Sequence, residues 1–133
     1  FSLAEIGFGD HLITIPAGSQ HFETIVPVDY NGVSFEVWID AGIDLATGIV
    51  HAAFYSIDPN TSLPPDVLIG FLPPENGTGR GMGYVSYTIK TRADLLTGAD
   101  IRNIALISFD GQALIATHQV NPVFIASVMN ALI

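Results

Sequence analysis

The sequence feature that most constrains the fold is an alternating segment that directly follows an Asn-Gly pair. Residues 33–40 alternate between large apolar side chains and mostly polar ones, in the order Val33, Ser34, Phe35, Glu36, Val37, Trp38, Ile39 and Asp40. A period of two predicts a β-strand with one buried face. Asn31-Gly32 tolerates positive φ, so it predicts a hairpin whose other strand is residues 22–30. Pro27 within that strand indicates an edge position or a bulge.

Further segments show strand patterns at residues 12–15, 50–55, 84–90, 101–109 and 112–120. Residues 101–109 are apolar on both faces, which favours a central strand. Asp110-Gly111 then predicts a tight turn into residues 112–120. Residues 58–83 are rich in proline and glycine, so we expect a loop that holds at most a short edge strand at 68–72.

Together these patterns predict an all-β fold, an antiparallel β-sandwich of immunoglobulin-like type with about seven to eight strands. We expect one domain over residues 1–122, followed by an apolar tail at 123–133. The tail is the only helix candidate. Its side chains should either add to the domain's own surface or pair with a second copy of the chain, and β-addition at an exposed edge is the cheapest route. The predicted core is Val33, Phe35, Val37, Ile39, Val50, Phe54, Val85, Tyr87, Ile89, Ile101, Ala105, Ile107 and Phe109.

A short motif occurs twice, fifty residues apart. Asp44-Leu45-Ala46-Thr47-Gly48 is repeated as Asp94-Leu95-Leu96-Thr97-Gly98. Each Asp could accept hydrogen bonds from backbone N–H groups of its own loop, and each Gly could supply a left-handed residue. We expect equivalent corners, with both leucines plugged into the core.

Composition excludes several classes of function. The chain of 133 residues carries thirteen Asp and Glu against four Lys and Arg, for a net charge of −9, which argues against binding nucleic acid through phosphates. It contains no cysteine, and therefore neither a disulfide framework nor a thiolate site. No apolar stretch approaches the roughly 18 residues that a membrane helix needs, so we expect no membrane span.

Calcium is the candidate ion, because carboxylates abound in the first part of the chain. Asp58-Pro59-Asn60-Thr61-Ser62 resembles the first half of a calcium loop, but Leu63 and Ile69 stand where such a loop needs Gly and Glu. The candidate ligands are the acidic residues at predicted strand ends and loops, Asp40, Asp44, Asp58 and Asp110. The alternative is that these carboxylates cap turns. The histidines, His11, His21, His51 and His118, lack helical metal-ligand spacing and are interpreted as solvent-facing strand residues.

Other binding and catalytic patterns are incomplete. Trp38 lies on the polar face of its strand, and with Tyr55 and Tyr84 it could form an exposed aromatic surface for a sugar; the alternative is a packed Trp38. No Gly-x-Ser-x-Gly elbow occurs. Residues 77–83 lack the lysine of a phosphate loop and predict a flexible or close-packed turn. Remote carboxylate pairs of a small β-sandwich hydrolase stay open as an alternative.

The order of motifs resembles a repeat module of large secreted bacterial cell-surface proteins over roughly residues 10–122. The matching segments include Ile43-Asp44-Leu45-Ala46-Thr47-Gly48, Ser56-Ile57-Asp58-Pro59-Asn60-Thr61, Leu63-Pro64-Pro65, Gly70-Phe71-Leu72-Pro73-Pro74-Glu75-Asn76, Tyr84-Val85-Ser86-Tyr87-Thr88-Ile89-Lys90 and Gln119-Val120-Asn121-Pro122. The resemblance implies an immunoglobulin-like or cadherin-like sandwich, secretion or a cell-surface location in bacteria, and neighbouring domains in a larger protein. It implies a structural or adhesive role and no catalysis. A carbohydrate or a protein is the candidate ligand. It defines no catalytic residues.

Overall fold

A computed structural model describes residues 1–66, 69–99 and 102–116, together with the backbone of residues 128–132. The described part of the chain forms nine strands in antiparallel sheets and contains no helix, which confirms the predicted all-β antiparallel fold. In chain order the strands are β1 (Ser2–Phe8), β2 (His11–Thr14), β3 (His21–Tyr30), β4 (Val33–Asp44), β5 (Ile49–Ile57), β6 (Gly83–Thr88), β7 (Leu106–Ile107), β8 (Ile115–Ala116) and β9 (Val128–Leu132).

A three-stranded sheet in the order β3-β4-β5 contains the predicted hairpin. Asn31 and Gly32 adopt φ values of 52° and 76°, as a two-residue hairpin turn of this kind requires. The register is continuous from the pair Tyr30 and Val33 to the pair His21 and Gly42. Strand β3 lies at the edge of this sheet, where a proline without an N–H group is tolerated. This agrees with the edge position predicted from Pro27.

The second sheet has the order β2-β1-β6-β9, and its strand β1 was not predicted. The register between β1 and β6 shifts between Leu3 and Glu5, a β-bulge. The bulge places Leu3 and Ile6 in the core although they are three residues apart, so the sequence of this strand does not alternate with a period of two.

The core lies between these two sheets. Its buried members are Leu3, Ile6, Phe8, Ile15, Phe35, Val37, Ile39, Ala41, Val85 and Tyr87, which come from both sheets and form one cluster. The ring of Phe8 in β1 meets the ring of Phe54 in β5 at a centroid distance of 6.0 Å. The two sheets therefore face each other as layers of a sandwich, joined by apolar side chains from their inner faces.

The predicted core is right for the alternating strands and wrong at their ends. Five of its residues are buried, Phe35, Val37, Ile39, Val85 and Tyr87, and Val50 and Phe54 are partly buried against them. Val33 and Ile89 are exposed instead, because Val33 is the first residue of β4 beside the hairpin turn and Ile89 follows the end of β6.

The predicted central strand at 101–109 is wrong. Among the described residues from 102 to 109, only Leu106–Ile107 forms a strand, and it pairs with Ile115–Ala116. Phe109 is 48% exposed rather than buried, while Ala105 and Ile107 are partly exposed. Ile101 lies outside the described residues. The turn itself was predicted: Asp110 and Gly111 adopt φ values of 49° and 70°, and the Gln112 N–H donates to the Phe109 carbonyl.

The proline-rich segment from 58 to 83 covers one end of the core. Ile69, Phe71 and Leu72 are partly buried against the core cluster, and the ring of Phe71 stacks on that of Phe54 at 5.4 Å. Residues 69–72 form no strand, so the edge strand proposed at 68–72 is absent from them; Leu68 lies outside the described residues.

The C-terminal tail contributes a strand to the domain's own sheet. The backbone of Val128–Leu132 pairs antiparallel with β6, so the helix considered for the tail is wrong over these five residues. Of the two alternatives for the tail, these five residues show addition to the domain's own surface, at the edge of a sheet. The division at residue 122 and the self-association of the tail stay predictions. Within the described residues, no helix has the length and apolar character needed to cross a membrane.

Candidate functional site

The outer face of the β3-β4-β5 sheet carries a row of three large side chains. The register places Ile25 of β3 opposite Trp38 of β4, and Trp38 opposite Tyr55 of β5. They are 51%, 45% and 57% exposed, respectively. We call these three residues the aromatic row. The exposure of Trp38 agrees with the prediction of an exposed aromatic surface and contradicts the alternative of a packed Trp38.

Hydrogen bonding orients the aromatic row. The Trp38 Nε1–H donates to the Glu36 Oε2 atom at 2.9 Å, and Glu36 lies two residues away on the same face. A shallow depression of about 450 Å³ lies over the row, and its lining also includes Glu23 and Asp40. The depression thus combines apolar rings with carboxylate acceptors.

Two histidines and two carboxylates converge beside this row. Glu23 and Asp40 are opposite each other two register positions from the Ile25–Trp38 pair, and His21 and His51 both lie opposite Gly42 two positions further on. The Asp40 Oδ1 atom is 2.9 Å from the His21 Nε2 atom and 3.5 Å from the His51 Nε2 atom. The His21 Nε2 atom is also 3.6 Å from the Glu23 Oε1 atom. We call these four residues the histidine-carboxylate cluster.

Tyr84 does not join the aromatic row. It lies in β6, in the other sheet, and its ring occupies the space beside Gly7, where a Cβ atom would come within 2.3 Å of the Tyr84 Cε1 atom. Its hydroxyl donates to the Glu5 Oε1 atom at 3.2 Å. Desolvation raises the pKa of Tyr84, and the neighbouring Glu5 carboxylate adds to the increase. The predicted aromatic surface therefore consists of Trp38 and Tyr55 with Ile25.

The four aspartates proposed as calcium ligands are dispersed along the described structure. Asp44 pairs with Ile49 at one end of the β4-β5 ladder, and Asp58 follows Ile57 at the other end. Eight register positions separate these ends, or about 26 Å at the usual rise of a strand. Asp40 belongs to the histidine-carboxylate cluster, and Asp110 lies in the turn between β7 and β8. Calcium binding stays a prediction, with the four residues at separate places.

Two of these aspartates hold their own turns. The Asp44 Oδ1 atom accepts the Ala46 N–H at 2.8 Å, and the Asp58 Oδ1 atom accepts the Asn60 N–H at 2.8 Å. The hydrogen bond from Ala46, followed by one from the Thr47 side chain, lowers the pKa of Asp44 below its ordinary value. These carboxylates therefore have structural partners, as the turn-capping alternative predicted.

The two copies of the repeated motif differ in structure. Gly48 and Gly98 both adopt positive φ, as predicted. The carboxylate of Asp94, however, accepts hydrogen bonds from the Arg92 side chain at 3.0 and 2.7 Å instead of from its own loop. Leu45 and Leu95 are 68% and 42% exposed, so the prediction that they plug the core is wrong. Asp44 therefore caps its own loop, whereas Asp94 pairs with Arg92.

In the glycine-rich loop, the Glu75 carboxylate is enclosed by backbone N–H groups, which was not predicted. Glu75 accepts the backbone N–H groups of Gly77, Gly79 and Gly81 at 2.6, 2.9 and 2.8 Å. These bonds, that from Gly79 foremost, lower the pKa of the Glu75 carboxyl. Successive N–H groups that point inward form an anion-binding concavity, and here the chain supplies its own anion. The spacing of Glu75 before alternate glycines was the signal in the sequence. The prediction of a close-packed turn is right at Gly81, whose Cβ would lie 2.9 Å from the Glu75 Cα atom.

Comparison with known proteins returned no match: no family model, no curated protein and no solved structure matches this chain.

Proposed function

We propose that this chain is a non-catalytic adhesive module of a secreted bacterial cell-surface protein, joined there to neighbouring domains. Its contact surface is the outer face of the β3-β4-β5 sheet. The observation that carries the proposal is the aromatic row, in which three adjacent large side chains are each about half exposed. Contiguous apolar side chains rimmed by polar ones are typical of surfaces that bind a ligand or a partner.

A specific feature favours a carbohydrate as the ligand. Trp38 and Tyr55 offer ring faces on which the C–H groups of a sugar can stack, and they are buttressed by Ile25. Glu36, Glu23 and Asp40 provide acceptors for sugar hydroxyls on the same face. Because the chain has a net charge of −9, a neutral polysaccharide fits this surface better than an acidic one.

Attachment of cells tests both the adhesive contact surface and the carbohydrate ligand. The chain is displayed on a non-adherent bacterium, and attachment is measured to plates coated with cellulose, chitin, xylan or mannan, alongside aggregation of the displaying cells. We expect attachment to at least one polysaccharide, reduced at least tenfold by Trp38→Ala with Tyr55→Ala. Ile49→Ala is the matched control, since Ile49 is also exposed on β5 but lies six register positions from Tyr55 of the aromatic row.

The outcomes separate the two statements. Aggregation of displaying cells without attachment to any polysaccharide would leave an adhesive module whose ligand is a second copy of the chain. Neither attachment nor aggregation, or attachment that survives the double substitution, would overturn the proposed contact surface.

The hydrolase alternative has a separate test. Glu23 and Asp40 lie opposite each other, but on the exposed face of a sheet, where the Asp40 side chain is 44% exposed. A general acid needs an environment that raises its pKa, which an open face does not supply. We expect no release of reducing sugar from the same four polysaccharides, and release that Asp40→Asn abolishes would overturn the non-catalytic assignment.

A further inference from the structure

The histidine-carboxylate cluster shares Glu23 and Asp40 with the proposed adhesive surface, but its two histidines have no role there. We propose that His21, His51, Asp40 and Glu23 form a binding site for a divalent transition-metal ion, with Zn²⁺ as the ion of best fit. The two histidines and the two aromatic rings are separate side chains, so substitutions at His21 and His51 or at Trp38 and Tyr55 test the two proposals independently.

The arrangement of the strands brings the two histidines together. His21 in β3 and His51 in β5 both face Gly42 of the central strand β4. Their Cα atoms are therefore two strand spacings apart, about 10 Å, which two imidazole side chains reaching inward can span. The two histidines therefore do not need helical metal-ligand spacing in the sequence, because the three-stranded sheet aligns them side by side.

Gly42 provides the space in which the two rings meet. A Cβ atom at this position would lie 3.0 Å from the His51 Cε1 atom and 3.1 Å from the His21 Cδ2 atom. Gly42 is not among the glycines with positive φ, so the backbone conformation does not require glycine there. The missing side chain therefore serves the approach of the imidazoles, and Gly42 is a positioning residue of the site.

The spacing of the donor atoms suits a tetrahedral ion. Ligand atoms at about 2.0–2.1 Å from such an ion lie about 3.3 Å from one another. The observed separations are 2.9 Å for His21 Nε2 to Asp40 Oδ1, 3.5 Å for His51 Nε2 to Asp40 Oδ1 and 3.6 Å for His21 Nε2 to Glu23 Oε1. His21, Glu23 and Asp40 each offer an atom within 4.8 Å of the others. His51 lies outside this set of three and reaches it through Asp40, so its side chain must rotate toward His21 for all four residues to bind one ion.

The donor chemistry selects the class of ion. Imidazole nitrogens with carboxylate oxygens suit Zn²⁺ and its neighbours in the transition series, whereas Ca²⁺ takes six to eight oxygen ligands. Each imidazole would bind through a neutral Nε2 and carry its proton on Nδ1. No lysine or arginine precedes Arg80 in the sequence, so none in β1 to β5 supplies a competing positive charge. The site thus differs in chemistry from the calcium predicted for the scattered aspartates.

Calorimetric titration of the intact, chelator-treated chain with Zn²⁺ tests the proposal. We expect one saturable site, with affinity at least tenfold weaker in His21→Ala, His51→Ala and Asp40→Asn. His11→Ala and Asp44→Asn are the matched controls, since His11 lies in the other sheet and Asp44 lies on β4 with its carboxylate held by its own loop. Both controls should retain affinity within about twofold. Ca²⁺ should not compete at equal concentration.

Two further measurements keep the test decisive. Trp38 is the only tryptophan and lies two residues from Asp40 on the same face, so Cu²⁺ or Ni²⁺ in the site should quench its fluorescence, and His51→Ala should abolish the quenching. Circular dichroism and the metal-free melting temperature should be unchanged in the His and Asp variants, because their side chains are exposed. Gly42→Ala should weaken Zn²⁺ binding, and its metal-free melting temperature should show that the domain remains folded.

Three results would overturn the proposal. They are wild-type Zn²⁺ binding no tighter than millimolar, binding retained in the combined His21→Ala and His51→Ala variant, and equal losses in the cluster variants and the two controls. Each distinguishes a built site from histidines that bind the ion wherever they are exposed.

Discussion

Two regions of this chain have similar apolar content and differ in what that content does. The sandwich region, residues 1–57 and 83–88, contains the strands β1 to β6, and all ten of its buried apolar residues form one cluster. The carboxyl region, residues 89–116, is described except at 100 and 101, and there Leu106, Phe109 and Ile115 are exposed. Its strands β7 and β8 have two residues each.

The difference shows that hydrophobicity predicts burial only when a covering layer exists. In β4 the apolar side chains face the other sheet, and the polar ones face outward, so alternation corresponds to a real inside and outside. At residues 102–109 apolar side chains occur on both faces, and the described chain covers neither completely. An uninterrupted apolar run therefore indicated a central strand that the structure does not contain.

The largest effect that could break this comparison comes from truncating one phenylalanine in each region. Phe35 is 2% exposed in the cluster, so Phe35→Ala should reduce the free energy of unfolding by about 3–5 kcal/mol. Phe109→Ala should cost about 0.5 kcal/mol or less, since surface substitutions usually do. Urea denaturation with matched slopes measures both. Equal losses would show that the carboxyl region is buried in solution.

The unpredicted strand β1 supplies the next largest effect. Ile6 is fully buried between the sheets, and Ile6→Ala should cost about 2–5 kcal/mol. Ile104→Ala, the same change at an exposed position of the carboxyl region, is the control and should be nearly neutral. A melting curve for Ile6→Ala that coincides with the wild type would remove β1 from the core.

A smaller effect concerns the glycine-rich loop between β5 and β6, which is held by Glu75. Glu75→Gln removes the charge that three backbone N–H groups surround, so the loop should open more often. Trypsin should then cleave faster after Arg80, which is the first basic residue of the chain. Cleavage after Arg92 is the internal reference, and Asp10→Asn is the charge-matched control. Unchanged cleavage at Arg80 would show that the carboxylate does not hold the loop.

The sign of the accompanying pH dependence follows from the lowered pKa of Glu75. The folded state binds the carboxylate's proton less readily than the unfolded state, so the stabilisation is present at neutral pH and is lost as pH falls through the folded-state value. The difference in melting temperature between wild type and Glu75→Gln should therefore shrink below about pH 4.3, the ordinary value for glutamate. A difference that widens in acid would contradict the assignment.

The smallest effect compares the two copies of the repeated motif. Asp44→Asn should lower the melting temperature slightly at neutral pH, because its carboxylate accepts the Ala46 N–H and an amide oxygen is a weaker acceptor. Asp94→Asn should leave the melting temperature unchanged, since Asp94 pairs with an exposed Arg92 and such pairs contribute little. The contrast should be lost as pH falls through the lowered pKa of folded Asp44, where its carboxylate becomes protonated. Identical shifts in both variants would restore the predicted equivalence of the loops.

The sequence by itself determined the strand class and the β3-β4 hairpin. Asn31-Gly32 favours a turn with positive φ, and the alternation after it distinguishes the buried Phe35 from the exposed Trp38 without reference to distant residues. The turns at Gly48 and Asp110-Gly111 were predicted for the same reason, because the backbone conformation is a local property.

Only the tertiary structure decided which strands lie beside each other and what their outer faces bring together. Because of the bulge in β1, its buried residues do not follow a period-two pattern. Pairing with β6 decides which of its side chains face the core. His21 and His51 are thirty residues apart in the sequence, and only the shared neighbour Gly42 makes them adjacent. Tyr84, chosen from the same kind of pattern as Tyr55, lies in the other sheet. Strand pairing is a long-range choice, so spacing along one chain cannot supply it.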